Sequence, residues 1–353
     1  MAERLEAGRL AASSGSDGVK SVNLALQGGG THGAFAWGVL DRLLEEDGLA
    51  IEGISATSAG AMNAAVLAYG LTVGGRKGAR QALDTFWRGI AQAALFSPLQ
   101  PSPWDRFFGN YGLETSLAFP FFDALTRIIS PYQSNPLNYN PLRQVLENSI
   151  DFAELRRCSA VKLFLSATNV RTGKVRVFGS GEISADAVLA SACLPFLFQA
   201  VEIDGEHYWD GGYMGNPAVF PLIYECDCTD VVLVHINPIY RPEVPITAPE
   251  IMNRINEISF NSSLMREMRA ISFVNRLIEN GILRGNEMKL LRIHAIDAED
   301  VMQTFGVASK LNADLDFLLH LHGVGRARAE AWLACEFAEV GQRSTVDLQA
   351  KYL

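Results

Sequence analysis

Residues 22–33 read VNLALQGGGTHG. An apolar run, Val22 to Gln27, breaks into three glycines, and a helical pattern follows at once. Phe35, Val39, Leu40, Leu43 and Leu44 recur at helical spacing, so a helix is predicted from Ala34 to about Asp47, with Gly48 as its stop. A second unit repeats the form. IEGISAT, 51–57, is a short strand, and AGAMNAAVLAYG, 59–70, is a small-residue helix suited to close packing on a sheet. Strand, glycine loop, helix, strand, tight turn, helix predicts a three-layer α/β/α sandwich with a largely parallel central sheet.

The rest of the chain fits that frame. A helix is predicted over 78–93, a strand over 160–170, a turn at Arg171 to Lys174, a strand at VRVF and a helix over 184–192. FQAVEI and HYWDGG form a predicted hairpin around Asp204-Gly205, a strong turn pair. VVLVHI, 231–236, is a buried strand, and LLRIHAI, 290–296, is the last one. Residues 249–280 carry Ile251, Ile255, Ile258, Met265, Met268, Ile271, Val274 and Ile278 at helical intervals. They predict a long amphipathic helix with a break near Asn261-Ser262-Ser263. Helices near 311–321 and 324–340 close the chain. Positions 96–139 hold ten of the 33 aromatic residues and many prolines, an irregular excursion with a helix near 119–130. Residues 1–20 read as a frayed or weakly helical lead-in, and 21–345 as a single domain with a mainly helical part from 249.

Composition limits the function classes. The 353 residues are 48% hydrophobic and 20% charged, which suits a globular chain with a substantial core. A net charge of -9 argues against a nucleic-acid partner. Five scattered cysteines suggest a reducing compartment, and the first twenty residues lack the apolar core of a secretory signal. The expected location is cytoplasmic, with contact at a membrane surface left open.

The candidate chemistry sits in the pentapeptide Ala56-Thr57-Ser58-Ala59-Gly60. A serine between a strand end and a helix start, with small residues two before and two after, fits the nucleophile elbow of serine acyl hydrolases. The competing reading is an ordinary helix N-cap. Upstream, Gly28, Gly29 and Gly30 can present backbone N–H groups to a developing oxyanion. The loop GGGTHG matches neither a dinucleotide fingerprint nor a P-loop, although glycines that merely permit close packing remain an alternative. Downstream, Asp210-Gly211-Gly212 follows an aromatic strand. Asp204-Gly205 lies in a turn and lacks the second glycine, so Asp210 is the preferred acid.

Together these elements resemble the patatin-like phospholipases, also called patatin-like lipid acyl hydrolases. Gly28, Gly29 and Gly30 with Gly33 match the family's oxyanion loop. Ala56 to Gly60 match its elbow, with Ala56 where glycine is usual. Ala192 to Pro195 resemble the stretch before the last catalytic element, and Asp210-Gly211-Gly212 match the motif of the catalytic aspartate. The resemblance spans roughly residues 22–236. It implies a Ser58–Asp210 dyad, an acyl-Ser58 intermediate and hydrolysis of phospholipid, lysophospholipid or acylglycerol esters, with no metal or cofactor. His32 stands where many members carry Arg or Lys, which removes a permanent charge; an exposed, polar histidine is expected there.

Other readings remain beside it. A Ser-His-acid triad would use Asp210 with His235 or His294. An acyltransferase would use the same dyad, and a lipid-binding or interaction protein would use none. Cys226, Cys228 and His235 make a weak case for zinc. The aromatic excursion suggests acyl-chain contacts or a lid, and the long helix a cleft shield or a homo-oligomer contact.

Overall fold

A computed structural model describes residues 18–95, 111–113, 121, 124–126, 128–283 and 288–353. The lead-in expected over 1–20 and the 96–139 excursion lie mostly outside the described residues, and within the helix expected near 119–130 the described positions 121, 124–126 and 128 are helical.

The opening run becomes strand β1 (Lys20–Leu26), followed by helix α1 (Gly33–Leu43). Strand β2 (Leu49–Thr57) leads into helix α2 (Ala59–Ala94). Helix α2 is broken at Gly74 and Gly75, whose backbones are not helical, so it holds the two expected segments. After helix α3 (Pro141–Ser149) come strands β3 (Lys162–Asn169) and β4 (Val175–Gly179) and helix α4 (Ala185–Ser191). Strands β5 (Val201–Ile203) and β6 (Glu206–Asp210) form the expected hairpin. Asp204 and Gly205 both have positive φ, as a tight two-residue hairpin turn requires. Strand β7 (Asp230–His235), helix α5 (Ala248–Glu279), strand β8 (Arg292–Asp297) and helix α6 (Leu315–Cys335) follow.

The eight strands form one sheet in the order β5-β6-β3-β2-β1-β7-β8, with β4 also paired to β3. β1 is central, parallel to both β2 and β7. Its residues alternate between two cores. Val22, Leu24 and Leu26 face a cluster with α1, α2 and α6, while Ala25 faces a second cluster with Leu264 and Met268 of α5. Helices therefore cover both faces, and a strand buried on both sides reads as a nearly continuous apolar run. Each fully buried large aliphatic side chain contributes about 1.5–3 kcal/mol, so these two layers hold the sheet and its loops in place.

Three helix boundaries differ from the sequence-based expectation. α1 ends at Leu43 rather than near Asp47. The carbonyl of Gly48 accepts from the Lys20 N–H at 2.8 Å, so the chain must already be extending into the β1–β2 ladder. α5 runs unbroken through Asn261-Ser262-Ser263. There the Asn261 amide donates to the carbonyls of Asn237 and Pro238, and Ser263 Oγ accepts from the Asn216 N–H. Those polar groups bond to other segments instead of competing for their own helix backbone. α6 passes through Gly323 as one helix where two were expected.

The expected apolar face of α5 is buried at Met268 and Ile271 but differs in the first turns. Ile251, Ile255 and Ile258 are exposed, whereas Glu257 and Asn261 are buried. Glu257 is ion-paired with Arg241 and Arg254, which makes its burial tolerable. Among the described residues, no helix is long and apolar enough to cross a membrane.

Candidate active site

Strand register brings the elbow and the aspartate together. β4 occupies one edge of β3 over Phe164 to Thr168. The other edge pairs first with β2, where Thr57 lies beside Ser166, and then with β6, where Asp210 lies beside Ala167. β2 runs parallel to β3 and β6 antiparallel to it. Their C-terminal ends therefore meet head to head, and the residues that terminate them are Thr57, next to Ser58, and Asp210. This convergence depends on three strands far apart in sequence.

Ser58 sits at φ 56 and ψ -124 between β2 and α2. A non-glycine residue there carries about 1–3 kcal/mol of strain, which surrounding contacts must hold. Its side chain makes no capping hydrogen bond to the helix, so it is not an ordinary N-cap. The Ser58 N–H donates to Ser191 Oγ at 2.9 Å. Ala59 opens the helix, and Gly33 at the start of α1 lies against it. Thr57 Oγ1 donates to the Gly215 carbonyl at 2.6 Å.

The small residue two after Ser58 is required by the end of β1. A Cβ at Gly60 would lie 2.5 Å from the Leu26 carbonyl oxygen, so Gly60 is confined by the end of β1. Ala56 is fully buried in the core. Its methyl group occupies the apolar layer and does not obstruct the turn.

Asp210 is fully buried. Its N–H donates to the Cys193 carbonyl at 2.8 Å, and its own carbonyl accepts from Thr168 Oγ1 at 2.8 Å. Oδ1 accepts from the Gly212 N–H at 2.7 Å, in the turn Gly211–Tyr213. Oδ2 is buried without a hydrogen bond of ordinary geometry. Burial pushes the carboxyl up to about 6, against the Gly212 N–H, the nearby Ser58 hydroxyl and the Lys310 charge, which all favour the ionised form. The Ala192 to Pro195 stretch thus supports both residues, Asp210 through Cys193 and Ser58 through the adjacent Ser191.

The glycine loop is less uniform than its sequence. The Gly28 N–H is taken by Asn216 Oδ1 at 2.7 Å. A Cβ at Gly28 would lie 2.5 Å from Ser58 Cβ and 2.9 Å from the Thr57 carbonyl oxygen. Gly28 therefore provides room beneath Ser58, and its N–H is not available to an oxyanion as the sequence suggested. The N–H groups of Gly29 and Gly30 have no acceptor among the described residues.

The histidines stand apart from this convergence. His32 is buried, not exposed as expected; it contacts Ser309 Oγ at 2.7 Å, and burial lowers its pKa to about 3, so the ring is neutral. His235 faces Asn261 and is also neutral, with burial lowering its pKa to about 4. His294 lies 3.1 Å from Asp230. Neither bonds Ser58 or Asp210, so the triad reading fails on geometry. Cys226 is buried, which pushes its thiol up to about 11, while Cys228 Sγ faces the Ser21 carbonyl. Among the described residues, no cluster of three metal-ligating side chains is present.

A family model for patatin-like phospholipases matches residues 24–223. The chain belongs to the patatin-like phospholipase family. The matched span runs from the glycine loop through the elbow and Asp210. No curated protein matches the chain by sequence. Among solved structures, it is similar to VipD from Legionella pneumophila, at 17% identity and a TM-score of 0.38, over 86% of this chain and 66% of that one. It is also similar to ExoU of the Pseudomonas aeruginosa type III secretion system, solved with SpcU, at 14% identity and a TM-score of 0.32, over 92% of this chain and 58% of that one. The chain spans less than two thirds of the length of either.

Asn216, Ser191, Lys310 and Asn237 escaped the sequence reading. Each reaches the site from a distant segment. The Asn216 contact to Gly28, for example, joins residues 188 apart, and no local pattern announces it.

Proposed function

We propose that the protein is a lipid acyl hydrolase that cleaves carboxylic esters of phospholipids, lysophospholipids or acylglycerols with a Ser58–Asp210 dyad. The observation that carries this reading is the head-to-head meeting of β2 and β6, with a strained, uncapped serine beside a buried aspartate. Asp210 takes the Ser58 hydroxyl proton as Ser58 Oγ attacks the ester carbonyl. The carbonyl oxygen becomes an oxyanion, supported by the free Gly29 and Gly30 N–H groups. Collapse of the intermediate breaks the bond to the alcohol, which receives the proton from Asp210. Water, deprotonated by Asp210, then attacks acyl-Ser58; the bond to Ser58 Oγ breaks, Asp210 returns the proton to that oxygen, and the fatty acid leaves.

The elevated pKa of Asp210 supports its role as base. A carboxylate titrating near 6 is a stronger base than a surface aspartate near 3.9, and it is still mostly ionised at pH 7. The site residues lie between Gly28 and Gly212, and we read 21–345 as the single domain that carries them. Peripheral contact with a membrane or micelle supplies the substrate. The exposed side chains of Ile251, Ile255 and Ile258 are compatible with such a surface.

A serine-reactive fluorophosphonate tests the reading. It should label wild-type protein at Ser58 and leave Ser58→Ala unlabelled. Absence of labelling in folded wild-type protein, beside a labelled control hydrolase, would remove the reading. Product analysis with a competing alcohol separates hydrolysis from acyl transfer.

A further inference from the structure

The family match ends at residue 223, but the glycine loop is gripped from far beyond it. The turn Val307–Leu311 lies against the turn Gly30–His32. Thr31 Oγ1 donates to the Ser309 carbonyl at 2.9 Å, and His32 meets Ser309 Oγ. Gly30 has φ +60, and a Cβ there would collide with the Lys310 carbonyl. The backbone of this distant segment thus fixes the outer side of the loop.

The side chain of Lys310 reaches the loop by a second route. Its Nζ donates to Asn237 Oδ1 at 2.8 Å. Asn237 Nδ2 in turn donates to the Gly28 carbonyl at 2.8 Å. Asn237 is held in place by Gln27 Oε1, which accepts from its N–H at 3.0 Å. The Gly28 carbonyl and the Gly29 N–H belong to one peptide unit, and in a trans peptide they point in opposite directions. Fixing the carbonyl on Asn237 therefore aims the Gly29 N–H the other way. A cation at the far end of the chain of bonds also draws electron density along it and strengthens the terminal donor.

We propose that Lys310 is a positioning residue of the active site, which acts through Asn237 to orient and polarise the Gly28–Gly29 peptide toward the oxyanion. The proposal rests on the hydrolase reading above. The ionisable groups that act on Lys310 are Glu257, Arg241 and Asp210, with neutral His32 beside them and the Phe260 ring centroid 5.8 Å from Nζ. Burial brings the Lys310 ammonium down to about 8, so it is charged at pH 7 and loses that charge in mildly alkaline solution.

Steady-state kinetics on a water-soluble ester, with the full chain, test it. Lys310→Met should lower kcat about tenfold or more and change KM less than about twofold, because an oxyanion donor acts mainly in the transition state. Asn237→Ala should do the same. The double variant should fall no further than the worse single one, since both interrupt one relay. Wild-type kcat should decline above about pH 8, and Lys310→Met should lack that decline. Lys310→Arg should recover part of kcat and keep it at alkaline pH. Native-like Lys310→Met with wild-type kcat, losses that multiply in the double variant, or an alkaline decline that persists without Lys310 would each overturn the proposal. Should Lys310→Met not fold, the Lys310→Arg profile decides: a persistent decline near pH 8 overturns it. Wild-type protein that neither labels nor turns over would instead sink the hydrolase reading itself.

Discussion

Replacing Asp210 by asparagine should stabilise the folded protein at neutral pH while destroying its activity. Asp210 is fully buried, and one carboxylate oxygen lacks a hydrogen bond of ordinary geometry. Burial raises its pKa from 3.8 to about 6. The folded state therefore holds this proton more tightly than the unfolded chain does. Between those two values the folded protein is protonated here and the unfolded chain is not, so stability falls as pH rises. At about 1.36 kcal/mol per pH unit, that interval amounts to about 3 kcal/mol, fully lost above about pH 6. Asparagine carries no charge to desolvate. Its Oδ1 can keep the Gly212 N–H, and its Nδ2 takes the place of the unbonded oxygen. Urea unfolding followed by tryptophan fluorescence should give equal stabilities for the two proteins near pH 3.8. The gap should then widen to about 3 kcal/mol in favour of Asp210→Asn at pH 7.5. A pH-independent gap, or a less stable variant at pH 7.5, would refute the claim that the buried charge is a net cost.

The same titration governs turnover: kcat/KM should climb as pH rises through about 6, and a flat profile from pH 5 to 7 would count against Asp210 as the base. Gly28→Ala should fold yet lose about 100-fold or more in kcat, because its methyl group would displace Ser58, 2.5 Å from the new carbon; wild-type turnover would show that the loop yields freely. Ala56→Gly should keep labelling and turnover and lose about 1 kcal/mol of stability on unfolding, since a strand interior gains a flexible residue; loss of labelling would mean that the methyl group has a role at the elbow. His235→Ala should keep the chemical step while lowering the thermal midpoint, and a natively folded but inactive variant would revive a histidine-dependent mechanism.

Much of the fold was legible because it rests on local rules. VNLALQGGG announced a buried strand and a close approach, and Asp204-Gly205 announced a hairpin. Local rules fail where tertiary contacts override local propensity. Asn261-Ser262-Ser263 looked like a helix break, but Asn261 and Ser263 spend their polar groups on distant partners. In the first turns of α5 the apolar stripe gives the wrong face, because Glu257 is buried by its ion pairs while Ile251, Ile255 and Ile258 point outward; Met268 and Ile271 farther along the same stripe are buried.

By itself, the sequence determined the layers, the elbow serine, the glycine loop and the aspartate, since each needs particular residue types at fixed local spacing. Tertiary structure alone decided where they lie relative to one another. The register of β3 sets Ser58 against Asp210, burial lifts that carboxyl toward neutral pH, Asn216 removes Gly28 from the set of free donors, and Lys310 and Asn237 reach the loop from elsewhere. These are long-range pairings and a desolvated charge, and neither leaves a periodic trace along the chain.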